Sequence, residues 1–424
     1  MTRKVILCLL CTWALNAPAV TLQQCQDAAQ ANYPLIKQRE LIERTTHYTL
    51  SNIRKGWLPQ VSFTAQATLQ SDVVAWPQQM RAMMDQMGLE LKGLKKDQYR
   101  IGVDINQNVW DGGSIAAQTA VAQEQGHVSL AQNEVNLHAV RRRVNEMYFA
   151  LLLVDQQLTL NDSHRQLLDA SEKKLAALLS KEVVAQCDYD IVRAEQLAVT
   201  QQRTQLEAQR QAVALMLGQL CGITVDEVEM PPVPAAAGTD DNRRPELRLA
   251  DAQLRLADAQ ERSLNAALMP RVSLFAQGYY GYPGYNMFED MVSRKFTLNG
   301  MIGARLTWNM GALYTRRADK AKLQLQRDMA RNSRDLFLLN NSLEVTEQQQ
   351  NIARYNALAQ TDQQIIDLRE RVRKAAESKL AHGIIDVNDL VKEINRENEA
   401  RVNQWVHQIE MLKQLYDLKI TVNN

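Results

Sequence analysis

The chain has 424 residues, 46% of them apolar, and its 49 basic and 48 acidic side chains leave a formal charge of +1. Near-neutrality removes the bulk electrostatic case for nucleic-acid binding, and a charged fraction of 23% is too ordinary for wholesale disorder. Past the N-terminus the longest clear apolar run, Tyr148 to Val154, is far short of the ~18–20 residues of a membrane helix.

In chain order, Arg3 and Lys4 precede an apolar run from Val5 to Leu10, and Ala17 and Ala19 occupy an A-x-A cleavage site. Residues 1–19 therefore read as a secretory signal peptide. Cys8 and Cys11 lack the small residues that would precede a lipidated cysteine, so the exported chain is expected to be unlipidated.

A first repeat is expected over 20–222: a helix, strands at 57–75 and 98–110, and a helical hairpin at 113–222. The strand signal is period 2. Val61, Phe63, Ala65, Ala67 and Leu69 alternate with Ser62, Thr64, Gln66, Thr68 and Gln70. Tyr99, Ile101, Val103, Ile105 and Val109 oppose Arg100, Asp104, Asn106 and Asn108. Between them, the loop at 76–97 carries Met80, Met83, Met84 and Met87. That spacing suits one face of a short amphipathic helix or a soft copper(I) site. The hairpin is expected because Ser114 to Leu217 holds no proline and one glycine, Gly126. Leu137, Val140, Val144, Met147, Leu151, Val154 and Leu158 form a heptad seam.

A Pro-rich linker at 223–245, with Met230-Pro231-Pro232-Val233-Pro234 at its centre, leads to a second repeat at 246–424. It has a helix, strands at 270–283 and 296–309, and a hairpin at 311–424. Phe296, Leu298, Ile302, Ala304, Leu306 and Trp308 alternate cleanly, whereas Val272 to Tyr280 is looser, with Phe275 and Tyr279 on the polar face. From Ala312 onward there is no proline, and Gly383 is the one glycine. Gly383 suits a left-handed helix end, with Asp386 or Asn388 capping the next helix. Trp57-Leu58-Pro59-Gln60-Val61-Ser62 pairs with Leu268-Met269-Pro270-Arg271-Val272-Ser273, and Ile101-Gly102 recurs 201 residues later as Ile302-Gly303. Duplication is expected to put both strand pairs at one end and both hairpin tips at the other.

Two readings of the strands stand at this point. One is a soluble antiparallel sheet on a coiled-coil adaptor or scaffold. The other is a transmembrane barrel wall, favoured by strand length, by the export signal, and by Trp57, Trp110 and Trp308 at strand ends as an interfacial aromatic belt. Four strands cannot close a barrel, so the second reading requires other copies of the chain.

No nucleophile–base pair, phosphate loop or metal-ligand spacing rises above chance, so neither enzyme nor cofactor nor metal site is expected. After cleavage Cys25, Cys187 and Cys221 remain. Cys25 and Cys221 both fall at helix ends near the linker and are a possible disulfide; small buried or surface residues are the plainer alternative for all three and the preferred one for Cys187.

The chain resembles the TolC-type outer-membrane efflux proteins. The likeness rests on Thr21-Leu22, Asn32-Tyr33-Pro34-Leu35, Trp57-Leu58-Pro59-Gln60, Trp110-Asp111-Gly112-Gly113, Arg244-Pro245-Glu246-Leu247, Met269-Pro270 and the tip at Gly383, in that order and duplicated. The resemblance implies a mainly α protein with transmembrane β: coiled-coil hairpins forming a periplasmic α-barrel, and four strands per chain in a trimeric 12-strand outer-membrane barrel. It implies a homotrimer set in outer-membrane lipid, serving as a passive duct. Its tips (Val184, Gln186, Asp190, Gly383, Ile384, Asp386) would dock a periplasmic adaptor and, through it, a proton-driven or ABC inner-membrane pump. It also makes Asp389 a candidate for an acidic constriction ring, although the next turn carries Lys392 and a helix-start carboxylate beside the helix dipole explains Asp389 equally well. Small-molecule efflux and one-step protein secretion both use such a duct and differ in the pump.

Overall fold

The computed structural model describes residues 19–88, 90–180, 184–235 and 242–422. The expected signal peptide, apart from Ala19, and part of the first tip and of the linker fall outside these residues. The chain forms two compact units.

The first unit takes the residues up to Glu40, Ala131–Arg248, and those from Arg334 onward. It contains α1 (Leu22–Asn32), the start of α2 (Pro34–Arg54), most of α4 (Ser114–Leu179), α5 (Gln186–Cys221), the start of α6 (Pro245–Ala267), the later part of α8 (Ala312–Ala381), and α9 (Val387–Val422). The long helices follow from the missing breakers, and their ends are specified locally. Thr21 and Gln24 form a capping box on α1, with Gln24 N donating to Thr21 Oγ1 at 3.2 Å and Thr21 N to Gln24 Oε1 at 2.9 Å. α5 ends on Gly222 at φ 70°. Pro245 opens α6, where a missing N–H costs nothing. The expected linker at 223–245 therefore gives up its last residue to a helix.

Of the heptad seam, Val140, Val144, Leu151 and Val154 are buried, and Leu137, Met147 and Leu158 are half-buried. Val140, Val144, Tyr148, Leu151 and Leu152 of α4 pack with Leu22, Cys25 and Ala29 of α1, Leu217 and Cys221 of α5, and Ile409 and Leu412 of α9. Tyr148 fastens this core: its hydroxyl lies 2.9 Å from Val20 O and 2.6 Å from Glu229 O, bracing the chain just before α1 against the linker. Nearby, Arg244 forks onto Glu246 at 2.9 and 2.6 Å and lies over the Phe337 ring. His138 is buried beside this pair. Burial first, and the neighbouring Arg244 second, lower its pKa to about 4.

The second unit takes Leu41–Leu130 and Leu249–Ser333. Its centre is one antiparallel sheet in the order β1 (Gln60–Leu69), β2 (Asp97–Trp110), β3 (Arg271–Tyr282), β4 (Thr297–Thr307). The first strand is shorter than the expected 57–75. Lys55–Trp57 form a 3-10 turn, Pro59 has no N–H to give the ladder, and past Gln70 the chain leaves the sheet. Two short helices, α3 (Gln78–Gln86) and α7 (Met287–Ser293), lie in the two strand-to-strand loops. Asp111 caps α4, accepting from Gly113 N at 2.9 Å and Ile115 N at 2.5 Å, with Gly112 and Gly113 both at positive φ. Asn309 repeats a part of this before α8, accepting from Gly311 N at 3.1 Å.

Candidate functional site: a two-faced sheet and two hairpin tips

The sheet is apolar on one face and polar on the other, and the apolar face is bare. Val61, Phe63, Leu69, Ile101, Leu274, Leu298, Ile302 and Leu306 are all exposed, Ile302 at 83%. A soluble sheet of this size buries such a face. The outer edges of β1 and β4 have no strand partner among the described residues.

Aromatic side chains border the apolar face at both ends. Trp57 precedes β1, Trp110 ends β2 and Trp308 follows β4, so all three mark one end of the sheet, each about half exposed. A register shift between Asn108 and Trp110 carries Trp110 onto the apolar face. Trp308 Nε1 donates to Leu268 O at 3.0 Å, leaving its ring at the surface. Tyr99, Tyr280 and Phe296 mark the opposite end, with Tyr280 and Phe296 stacked at 5.9 Å. Apolar strands between two aromatic rows are the pattern of a bilayer-crossing surface.

The polar face holds Arg100, Asp104, Gln277, Asn299 and Arg305. Asp104 accepts from Thr64 Oγ1 at 3.0 Å and Gln277 Nε2 at 2.7 Å. Phe275 breaks the alternation because its ring fills a glycine gap on the neighbouring strand, while the backbone at Tyr279 closely approaches Gly102 and the Tyr279 ring lies against Tyr285. A Cβ on Gly303 would lie 2.7 Å from the Phe275 ring, and one on Gly102 2.7 Å from Tyr279 Cβ. Arg305 then lies 4.9 Å over the Phe275 ring.

At the Tyr99 end the loops pack on each other. Trp76 and Leu94 of one meet Met291 of the other and Tyr282 at the end of β3, Lys95 N donates to Tyr282 Oη at 3.0 Å, and Arg294 donates to Gly93 O at 3.1 Å. Buried Asp290 accepts from Gly284 N at 2.5 Å. Met80, Met83 and Met84 lie on α3 and Met87 caps it, so the methionine spacing is that of a short helix. Among the described residues no group of three His, Cys, Asp or Glu side chains is placed to hold a metal ion.

The two hairpin tips meet in the first unit: Leu175 and Val192 of the first pack on Val387 and Val391 of the second. The second tip closes as a Schellman motif, with Ile384 N donating to Lys379 O and Gly383 N to Leu380 O, both at 2.9 Å, and Gly383 at φ 69°. Asp386 is the helix cap, accepting from Asp389 N at 2.8 Å. Asp389 lies in the first turn of α9, exposed, with Lys392 Nζ 3.3 Å away. The first tip lacks a glycine. Val184 is half-buried, Asp188 accepts from Ala185 N at 3.2 Å, and Gln186 donates to Asp190 at 2.9 Å. Gln186 and Asp190 of the first tip and Gly383, Ile384 and Asp386 of the second are exposed.

No protein-family model matches the chain, and no curated protein matches it in sequence. Solved structures do. The outer-membrane channel OprN matches at a TM-score of 0.71 and 17% identity, over 95% of this chain and 89% of that one. The CmeC outer-membrane channel of Campylobacter jejuni matches at 0.68 and 13%, over 95% and 85%. The MtrE outer-membrane channel of Neisseria gonorrhoeae matches at 0.67 and 13%, over 95% and 89%. The chain has the outer-membrane channel fold.

Within the outer-membrane channel fold, the tryptophans and tip residues singled out from sequence fall into two groups, one at the edge of the sheet and one where the hairpins meet. Cys25 and Cys221 come together in the core of the first unit, while Cys187 is exposed. The sequence alone does not show the second aromatic row: Tyr99 and Phe296 belong to separate alternating strands, and only strand pairing sets them beside Tyr280.

Proposed function

We propose that the protein is a trimeric outer-membrane exit duct, conducting cargo passively from an inner-membrane pump through a periplasmic adaptor to the exterior. One observation carries this reading: a sheet with a bare apolar face, two aromatic borders and two unpartnered edges. Lipid is the solvent that such a face suits, and lipid tolerates no open edge. β4 of one copy pairing with β1 of the next removes every edge, and three copies supply a twelve-strand wall of the 8-to-26-strand range seen in such barrels. The polar face then lines the lumen. No helix among the described residues is long and apolar enough to cross a membrane, so any crossing falls to the strands.

The helical hairpins extend into the periplasm, and the tips at Val184, Gln186, Asp190, Gly383, Ile384 and Asp386 meet the adaptor. Asp389, repeated about a three-fold axis, contributes a ring of like charge at the entrance, attenuated by Lys392. The same duct serves one-step protein secretion if its partner is an ABC transporter. The coiled-coil adaptor alternative has no use for the bare apolar face.

The test is the native mass of the detergent-extracted membrane fraction, followed by planar-bilayer conductance. A trimer that opens stable channels supports the duct. A monomer or dimer in the soluble periplasmic fraction overturns it.

A further inference from the structure

We propose that Cys25 and Cys221 are joined by a disulfide in the mature protein, locking α1 to the last turn of α5. The inference rests on the export reading above, since a disulfide persists in an oxidising compartment.

Both residues have 0% exposure and share one apolar cluster. Both are free thiols in this structure, and Cys221 Sγ donates to Cys25 O at 3.3 Å. The neighbouring Cys221 thiol first, and burial second, push the Cys25 thiol well above its ordinary value. The backbone on either side is fixed independently of the sulfurs. Asn32 Nδ2 donates to Cys221 O at 2.7 Å, and a Cβ on Gly222 would lie 2.8 Å from the same Asn32 side chain. Val20 N donates to Glu227 O at 2.9 Å, and Glu229 N to Val20 O at 3.3 Å. α1 is thus clamped on the α5 terminus before any covalent bond is considered. Cys187 cannot compete: it lies in the first turn of α5, about 50 Å along the helix from Cys221 at 1.5 Å per residue.

The bond forms by exchange with a disulfide-bearing oxidant. One cysteine thiolate attacks an oxidant sulfur, giving a mixed disulfide and releasing one oxidant thiolate. The second cysteine thiolate attacks the mixed disulfide, forming Cys25–Cys221 and releasing the other. Two electrons pass to the oxidant, and the two thiol protons end on its reduced dithiol. Because neither sulfur reaches solvent once α1 is docked, the exchange precedes docking, and the finished bond resists reductant until the unit unfolds. It closes a loop holding the whole first strand pair and hairpin, and it fastens the start of the mature chain.

The test is site-resolved alkylation of the full-length protein, purified from cells under alkylating trap, denatured, and read by peptide mass spectrometry before and after reduction. Cys187 should label fully both times, whereas Cys25 and Cys221 should label only after reduction, and before it should appear as one cross-linked peptide pair about 2 Da lighter than the two thiol peptides together. Equal labelling of all three before reduction, or a bridge that includes Cys187, overturns the pairing in the cell. Refolding purified chain in a glutathione redox buffer separates the two causes. If the bridge forms there while cellular protein is reduced, the export reading has failed and the geometry stands. If it forms in neither, the pairing itself is wrong. A C25A/C221A variant should lose the dependence of melting temperature on reductant that the parent shows.

Discussion

Ile302→Arg separates a lipid-facing sheet from a wetted one. Ile302 is the midpoint of β4, opposite Ala276, and 83% exposed, so the longer side chain meets no steric obstacle within the chain. If the face is in water, the change is an ordinary surface substitution within about 0.5 kcal/mol. If it faces lipid, an arginine near the bilayer midplane costs ~2–4 kcal/mol per chain. At ~1.4 kcal/mol per decade, that is a ~30- to ~700-fold loss in the folding equilibrium. Leu298 is a depth control, one residue inside the end of β4 and 82% exposed. Leu298→Arg should cost only about 0–1 kcal/mol, because its guanidinium reaches the interface. The assay is urea titration of protein folded into phosphatidylcholine vesicles, with heat-dependent gel mobility as a second readout. Equal stability of Ile302→Arg and the parent, or equal losses for both variants, would refute a depth-dependent apolar environment and with it the barrel.

Other outcomes follow from the same structure. Tyr148→Phe removes a buried hydroxyl shared between Val20 O and Glu229 O, and should lower stability by about 1–2 kcal/mol in chemical denaturation of the extracted protein. Asp111→Ala exposes the first N–H groups of α4 and should cost about 1–2 kcal/mol in the same assay. His138 carries a pH signature. Its folded pKa, about 4, lies below the ordinary 6.5, so the unfolded chain takes up the proton first. Stability should be flat above pH 6.5 and fall towards pH 4, by up to ~3 kcal/mol, and the denaturation midpoint of His138→Gln should lack that decline. Asp389→Ala should weaken cation preference or divalent block in planar bilayers, while an unchanged current–voltage curve would reduce Asp389 to its pair with Lys392.

Most of the sheet was legible because period 2 is a local signal. Val61 to Gln70 and Phe296 to Trp308 show their two faces without any knowledge of neighbours. Val272 to Tyr280 looked irregular because its logic is not local: Phe275 faces the polar side to cover Gly303 of another strand, and Tyr279 to meet the ring of Tyr285 beyond β3. The bulge before Trp110 is likewise a property of pairing. The helical ends divide in the same way. Gly383 and Asp386 announce the second tip, whereas the first is capped through Asp188 from the third position of α5, with no glycine to mark it. The contact of Cys25 with Cys221 links positions 196 residues apart, and in the sequence only their places at helix ends near the linker suggested it.

The two bare sheet edges have a genetic consequence. In the proposed ring each chain offers its β4 edge to one neighbour and its β1 edge to the other, so no subunit is spare and no pair is a finished product. A chain crossing the periplasm carries both edges uncovered and needs a holding partner until it meets its mates. A single copy blocked on either edge, by a proline for instance, therefore spoils the two sound copies beside it. Defects in these strands would behave as dominant ones, poisoning wild-type subunits in the same cell.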